Sequence, residues 1–420
     1  MKGRLMVRSG IAAALALAIV GLPGVAVAAT PGPPQAPEWW FDAWQVDNLW
    51  AAGADGRGIT VAVVDTGVQA SLPELQGKVL SGADFIGNGS DGRTDYDSDA
   101  FSHGTAMASI IVARLGLGDV AGLAPAARIL PLAVPLRGVI RNGTPTDNAT
   151  AAAINYAADH GAQIISMSLG GLSLQSGSSD PCPGPLQSAV LHALSKGSLV
   201  VAASGNSGEQ GSPVEEPGVC LGVVSVGSID RQLNVSAFSS RHPYLTVSAP
   251  GDNIPSLSRS SAFIGEGTSQ ATAMTSAALA LIWSKYPRET NRQILTRLLD
   301  TVTDRGAVGR DPSYGLGIIN PAAAIAAKPA AAAAANVVFD GAQPLLVRSG
   351  VVPANPKSLP ETGDANSALG VYSVGKPPRA VSAEFYIVVL ATGTFALFAA
   401  LLLIVYVRRK VARPVLYGLR

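Results

Sequence analysis

Between residues 59 and 226 the chain alternates short β-branched apolar runs with longer stretches of helical pattern. Few folds tolerate that alternation. The runs cover residues 59–64, 128–134, 163–169, 199–203 and 223–226. Most are continuously apolar, which marks strands buried on both faces. Helical stretches at residues 105–114, 146–160 and 186–196 lie between them, and Gly161 and Gly197 stop the last two. This order predicts an α/β domain with a mostly parallel sheet flanked by helices. In such sheets the ligand crevice lies beyond the carboxyl ends of the strands, so residues directly after strands carry the functional interest.

Four positions stand out on that criterion. Asp65 ends the first run in Val64-Asp65-Thr66-Gly67, and His103 opens a helical stretch in Ser102-His103-Gly104-Thr105. Asn206 follows the run at 199–203 in Ala203-Ser204-Gly205-Asn206. Ser269, in Gly267-Thr268-Ser269-Gln270-Ala271, opens a long helix that runs to Pro287. Nucleophilic acyl transfer needs a hydroxyl, a base that titrates near neutrality and a carboxylate that holds the imidazole tautomer. A helix N-terminus favours the developing negative charge, and an Asn donor to an oxyanion contributes roughly 3–4 kcal/mol. The chain has 4 His; His160 and His242 lie at loop-like positions and His192 within a helix, so all three are expected to be structural or exposed. An α/β-hydrolase esterase is excluded, because no Gly-x-Ser-x-Gly occurs and the chain order is Asp, His, Ser.

With Val63-Val64-Asp65-Thr66-Gly67-Val68 and Ser168-Leu169-Gly170-Gly171, these motifs resemble the subtilases, the subtilisin-like serine proteases, over roughly residues 55–327. The resemblance implies a three-layer domain acting on polypeptide without a required cofactor. It implies that Asp65 orients, His103 is the general base, Ser269 the nucleophile and Asn206 the oxyanion donor. Ser168, Leu169, Gly170 and Gly171 would form the edge strand that pairs with substrate backbone. The family usually has Pro four residues after the nucleophile; here Ala273, a better helix former, stands there, and little effect on chemistry is expected. Many subtilases carry a structural Ca²⁺, but no ligand set is readable. Asp95, Asp97 and Asp99 alternate as in an EF-hand loop, yet Ala100 stands where Gly is needed and Ala106 where a bidentate Glu is needed. No metal site is assigned, and residues 91–99 are expected to form a solvated loop beside His103.

Composition locates the rest. The chain is 48% hydrophobic and 14% charged, against about a quarter charged in an ordinary soluble domain. Much of the apolar excess sits at the ends. Lys2, Arg4 and Arg8, an apolar run at 11–20 and Ala26-Val27-Ala28-Ala29 predict a signal peptide over residues 1–28. Residues 385–407 are 23 uncharged positions, long enough to span a bilayer core of about 30 Å. Arg408, Arg409, Lys410 and Arg413 follow and predict a cytoplasmic tail at 408–420, with the body on the outer face of the plasma membrane. Residues 29–54 form an N-terminal extension, residues 55–327 the peptidase domain and residues 328–384 a flexible linker rich in Ala, Pro, Gly and Ser. Leu359-Pro360-Glu361-Thr362-Gly363 matches the LPxTG signal used by sortases, but 21 residues separate it from the span, so a retained anchor is the expectation. The formal charge of +1 divides into +3 on residues 1–8, +5 on the tail and −7 on residues 9–407, which argues against a nucleic acid partner.

This architecture, with a Trp-rich segment at Trp39, Trp40, Trp44 and Trp50, resembles the mycosins, membrane-anchored subtilases of type VII secretion systems. The resemblance implies a secretion complex as partner. It leaves open whether proteolysis or a stabilising role dominates. The short N-terminal segment is expected to pack on the body as a brace, with its tryptophans as anchors. Cys182 and Cys220 would meet an oxidising compartment after export. Paired, they close a loop worth about 4 kcal/mol on the chain-entropy model; two buried free thiols are the alternative.

Overall fold

The computed structural model describes residues 38–98, 101–114, 120–136, 146–173, 182–328, 331 and 334–349. The predicted signal peptide, span, basic tail and Leu359–Gly363 motif lie outside these residues. Among the described residues no helix is long and apolar enough to cross a membrane.

The five apolar runs become β1 (Thr60–Asp65), β3 (Arg128–Ala133), β4 (Ile164–Met167), β6 (Leu199–Ala203) and β8 (Val223–Ile229). With β2 (Ala83–Asp84) and β9 (Val247–Pro250) they form one sheet in the order β2-β3-β1-β4-β6-β8-β9. Every neighbouring pair in it is parallel. Two small antiparallel pairs lie apart from it: β5 (Gly171–Leu172) with β7 (Glu215–Glu216), and β10 (Ile254–Leu257) with β11 (Ala262–Gly265).

Helices cover the sheet because strands apolar throughout must be shielded on both sides. On one side α4 (Thr146–Asp159) packs against α5 (Gly184–Ser195); on the other α3 (His103–Val112) packs against α6 (Thr268–Lys285). Ala273 lies buried in an unbroken α6. The cysteines are joined, with Cα atoms 5.0 Å apart, so the free-thiol alternative is not realised. The bond ties the residue two before α5 to the turn after β7.

The N-terminal segment folds as α1 (Trp39–Trp44) and α2 (Val46–Ala51), burying Trp40, Phe41, Trp44, Val46 and Leu49 in the core. Trp50 Nε1 donates to the Leu123 carbonyl at 2.9 Å, and Lys285 Nζ at the end of α6 donates to the Ala52 carbonyl at 2.6 Å. The expected brace is present, fastened to the C-terminal end of α6.

One expectation needs correction. The peptidase domain continues through α7 (Asn291–Leu299) and α8 (Pro321–Ala326), and the start of the expected 328–384 linker then folds as α9 (Val337–Arg348). Val338, Phe339, Ala342 and Leu346 form its buried face, and Asn336 caps the first turn by accepting from the Val338 and Phe339 N–H groups. Gly341 and Pro344 disguised this helical spacing as irregular chain. Arg292 on α7 holds α9 through Asp340 at 2.6 Å and lies 5.6 Å from the Phe339 ring.

Glu38, at the head of the brace, is buried and accepts from the Ala121 N–H at 3.2 Å. Burial pushes its carboxyl up from 4.5 to about 7, against the opposing Ala121 bond. A folded-state value above the unfolded one means the native state holds the proton more tightly. Stability from this group is therefore present below about 4.5 and lost as pH rises through about 7. Thermal melts should show Glu38→Gln gaining more over the parent at pH 8 than at pH 5; an equal gain at both would exclude this linkage.

Candidate active site

Because the main sheet is wholly parallel, β1, β4 and β6 end along one edge, and Asp65, Ser168 and Asn206 emerge there side by side. Asp65 is fully buried at the end of β1. Its two carboxylate oxygens accept from His103 Nδ1 at 2.8 and 2.9 Å, and one also accepts from the Thr66 N–H at 2.8 Å. A carboxylate can only accept, so Nδ1 carries the proton and Nε2 is left as the free base. Burial alone would lower the His103 pKa; the Asp65 charge and hydrogen bond, with Asp97 and Asp95 behind them, outweigh it and raise the value above 6.5.

His103 enters α3 from Ser102, whose backbone is left-handed (φ 52°) and whose side chain does not cap the helix. The first N–H groups of a helix have no intrahelical acceptor. Here three side chains supply them: Asp97 Oδ2 for His103 at 2.9 Å, Thr66 Oγ1 for Gly104 at 3.0 Å and Asp95 Oδ2 for Thr105 at 2.9 Å. Thr66 in turn donates its hydroxyl proton to Asp95 at 2.8 Å. The expectation of a solvated 91–99 loop is thus corrected at Asp95; Arg93, Thr94 and Ser98 are exposed as expected, and Asp99 lies outside the described residues. Asp95 is 1% exposed, and its place is set by the orphan donors of α3. Burial raises the Asp95 pKa against the hydrogen bonds from Thr105, Asp97 and Thr66. Among the described residues no group of three or more His, Cys, Asp or Glu is placed to hold a metal ion.

The glycines of the two motifs allow this approach. Gly67 turns the chain after β1 with φ 98°. A Cβ on Gly104 would lie 2.1 Å from the Gly67 carbonyl oxygen. The start of α3 therefore rests directly on the turn that follows Asp65.

Ser269 is half-buried in the first turn of α6. Its hydroxyl donates to the Ser168 carbonyl at 2.9 Å, and the Ser168 hydroxyl donates back to the Ser269 carbonyl at 2.9 Å. This reciprocal pair locks the nucleophile candidate to the end of β4. Asn206 is exposed, and its Oδ1 accepts from both the N–H and the hydroxyl of Thr268 at 2.9 Å. Two donors fix which end of the amide is oxygen, so Nδ2 projects away as a donor. Leu169 is half-buried, Gly170 and Gly171 are exposed, and β5 pairs with β7. The other histidines stay apart: His192 pairs with Asp159, His160 stacks on Tyr156, and buried His242 stacks on Tyr244 with its pKa lowered to about 4 by burial.

Sequence reasoning missed Thr66, Asp95, Asp97 and Thr268, which act on motif residues rather than on a substrate. Only the Asp alternation left a trace, and it resembled a metal loop.

The profile of the Subtilase family matches residues 56–317. Subtilisin DY of Bacillus licheniformis is 35% identical over 283 residues, covering 67% of this chain and 95% of that protein. Among solved structures, the MycP3 protease from the type VII (ESX-3) secretion system is 30% identical with a TM-score of 0.59, covering 70% of this chain and 89% of that one. MycP1 from the ESX-1 type VII secretion system is 26% identical with a TM-score of 0.60, covering 73% and 92%.

Gly104→Ala should force α3 away from the Gly67 carbonyl and lengthen the Asp65–His103 contact. The expected result is a loss of about 1–3 kcal/mol in stability and much slower fluorophosphonate labelling of Ser269. Unchanged melting and labelling would show that the close approach is not required.

Proposed function

Since the chain belongs to the subtilase family of serine peptidases, we propose that it is a membrane-anchored endopeptidase that cleaves exported proteins through Asp65, His103 and Ser269. The observation that carries this reading is the His103 Nδ1 contact with both oxygens of Asp65, which frees Nε2 as a base. In the first step the Ser269 hydroxyl turns from the Ser168 carbonyl to His103 Nε2 and attacks the substrate carbonyl carbon. The proton passes to Nε2, and the buried Asp65 carboxylate stabilises the resulting imidazolium. The oxyanion forms against Asn206 Nδ2 and the Ser269 N–H, which has no intrahelical acceptor at the second position of α6. The imidazolium then protonates the leaving amine, and water activated by the same Nε2 releases the acyl group from Ser269 Oγ.

The uncharged stretch at 385–407, followed by basic residues, supports the anchor and an outward-facing catalytic domain. Likeness to MycP1 and MycP3 supports association with a type VII secretion complex. A stabilising role in that complex is the second reading. Deletion set against Ser269→Ala in cells separates the two: secretion that survives only in the substituted strain makes the protein a scaffold.

On purified protein, Ser269→Ala should abolish peptide hydrolysis, and Asn206→Ala should lower kcat by about 10²–10³-fold. The base acts only when neutral, and its pKa is raised. The acid limb of kcat/KM should therefore fall as pH drops through a value above 6.5; a limb below that value would assign the base elsewhere.

A further inference from the structure

Beside the segments that position Ser269 lies a carboxylate that the acyl-transfer chemistry does not use. Glu215, on β7, is 7% exposed. Its side chain lies between the two backbone segments that flank Ser269. A Cβ on Gly205 would come 2.0 Å from Glu215 Oε1, and one on Gly170 would come 3.1 Å from Oε2. Gly205 precedes Asn206, and Gly170 lies two residues after Ser168, whose carbonyl holds the Ser269 hydroxyl. The carboxylate thus occupies the space between the oxyanion segment and the edge segment, where only glycines leave room for it.

Its partners are weak for a buried anion. Ser240 donates at 3.5 Å and Ser207 also hydrogen-bonds it. Among the described residues no Lys, Arg or His forms an ion pair with Glu215. Burial pushes its pKa up, with the two serine bonds opposing. A buried carboxylate without a cation is costly, and burying an apolar side chain against it costs more. A cationic side chain reverses that sign.

The substrate geometry directs a side chain to this place. Its attacked carbonyl must sit at Ser269 Oγ with the oxygen toward Asn206, while its backbone pairs along residues 168–171. A side chain of that residue entering between the two segments would meet Glu215. We propose that Glu215 determines specificity, selecting Lys or Arg as the residue whose carbonyl Ser269 attacks. This inference rests on the proteolytic reading above.

The test uses the full-length chain in detergent and quenched peptides that differ only at that residue, carrying Arg, Lys, Leu or Phe. The parent protein should cleave the Arg and Lys peptides with the higher kcat/KM. Glu215→Gln should reduce the Arg-to-Leu ratio by about ten- to a hundredfold, the range of a charged hydrogen bond. Labelling of Ser269 by a fluorophosphonate reports that the site is assembled in this variant. A parent that prefers Leu or Phe overturns the proposal even if the variant does not fold, and so does an unchanged ratio in Glu215→Gln. A binding arm is independent of turnover: Ser269→Ala protein should bind the Arg peptide at least about tenfold more tightly than the Leu peptide. Equal affinities overturn the role of Glu215. Arg-selective binding without turnover by the parent supports Glu215 and overturns the proteolytic reading alone.

Discussion

The cleft depends on one helix that has almost no exposed face. In α6 every residue from Gln270 to Trp283 is buried, so its position is dictated by the sheet and helices around it. Small side chains make that possible, because Ala, Ser and Thr let the backbone approach the strands closely. The buried hydroxyls are all paired: Thr272 and Thr275 donate to carbonyls one turn back, at 2.8 and 2.9 Å, and Ser276 bonds Ser166 on β4 at 2.9 Å. That last bond sets the helix axially against the strand whose end supplies Ser168. Ser269 is therefore placed by packing two turns away from it, and the reciprocal bonds with Ser168 complete a position already determined.

The second helix of the site is held differently. Where α6 is fixed by apolar burial, the start of α3 is fixed by a demand for hydrogen-bond acceptors. Asp97, Thr66 and Asp95 meet that demand, and each lies near His103, which starts the helix. The same carboxylates add to Asp65 in raising the His103 pKa, so the groups that cap the helix also act on that imidazole. Capping and electrostatics are one arrangement here. Removing either acid would change both.

Around this centre the chain is clamped from outside. The brace of α1 and α2 reaches the C-terminal end of α6 through Lys285, while Gly56 N–H donates to Ser284 at 3.0 Å. The disulfide closes a loop that contains Asn206, and α9 adds an apolar face beside α5. These attachments are remote from the reacting atoms. They stiffen the elements whose ends form the cleft.

Much of this was legible because it is local. Runs of apolar residues become parallel strands wherever no polar alternation marks an open face, and Asp65, His103, Asn206 and Ser269 were found because motifs sit at strand ends and helix starts. The sequence by itself determined the strand–helix order and the positions of these four side chains along the chain, since both follow from neighbours within a few residues. Only the tertiary structure decided that Asp95 is buried rather than solvated, that Thr268 orients Asn206, and that α9 docks despite Gly341 and Pro344. Glu215 belongs to this second class: alone in sequence it is an ordinary acid, and it becomes a buried carboxylate held by serines, with no ion pair among the described residues, only when Gly170 and Gly205 close around it. The physical reason is shared. Each of these outcomes depends on desolvation or on a partner supplied by a different segment of the chain, and chain-neighbour patterns carry no record of either.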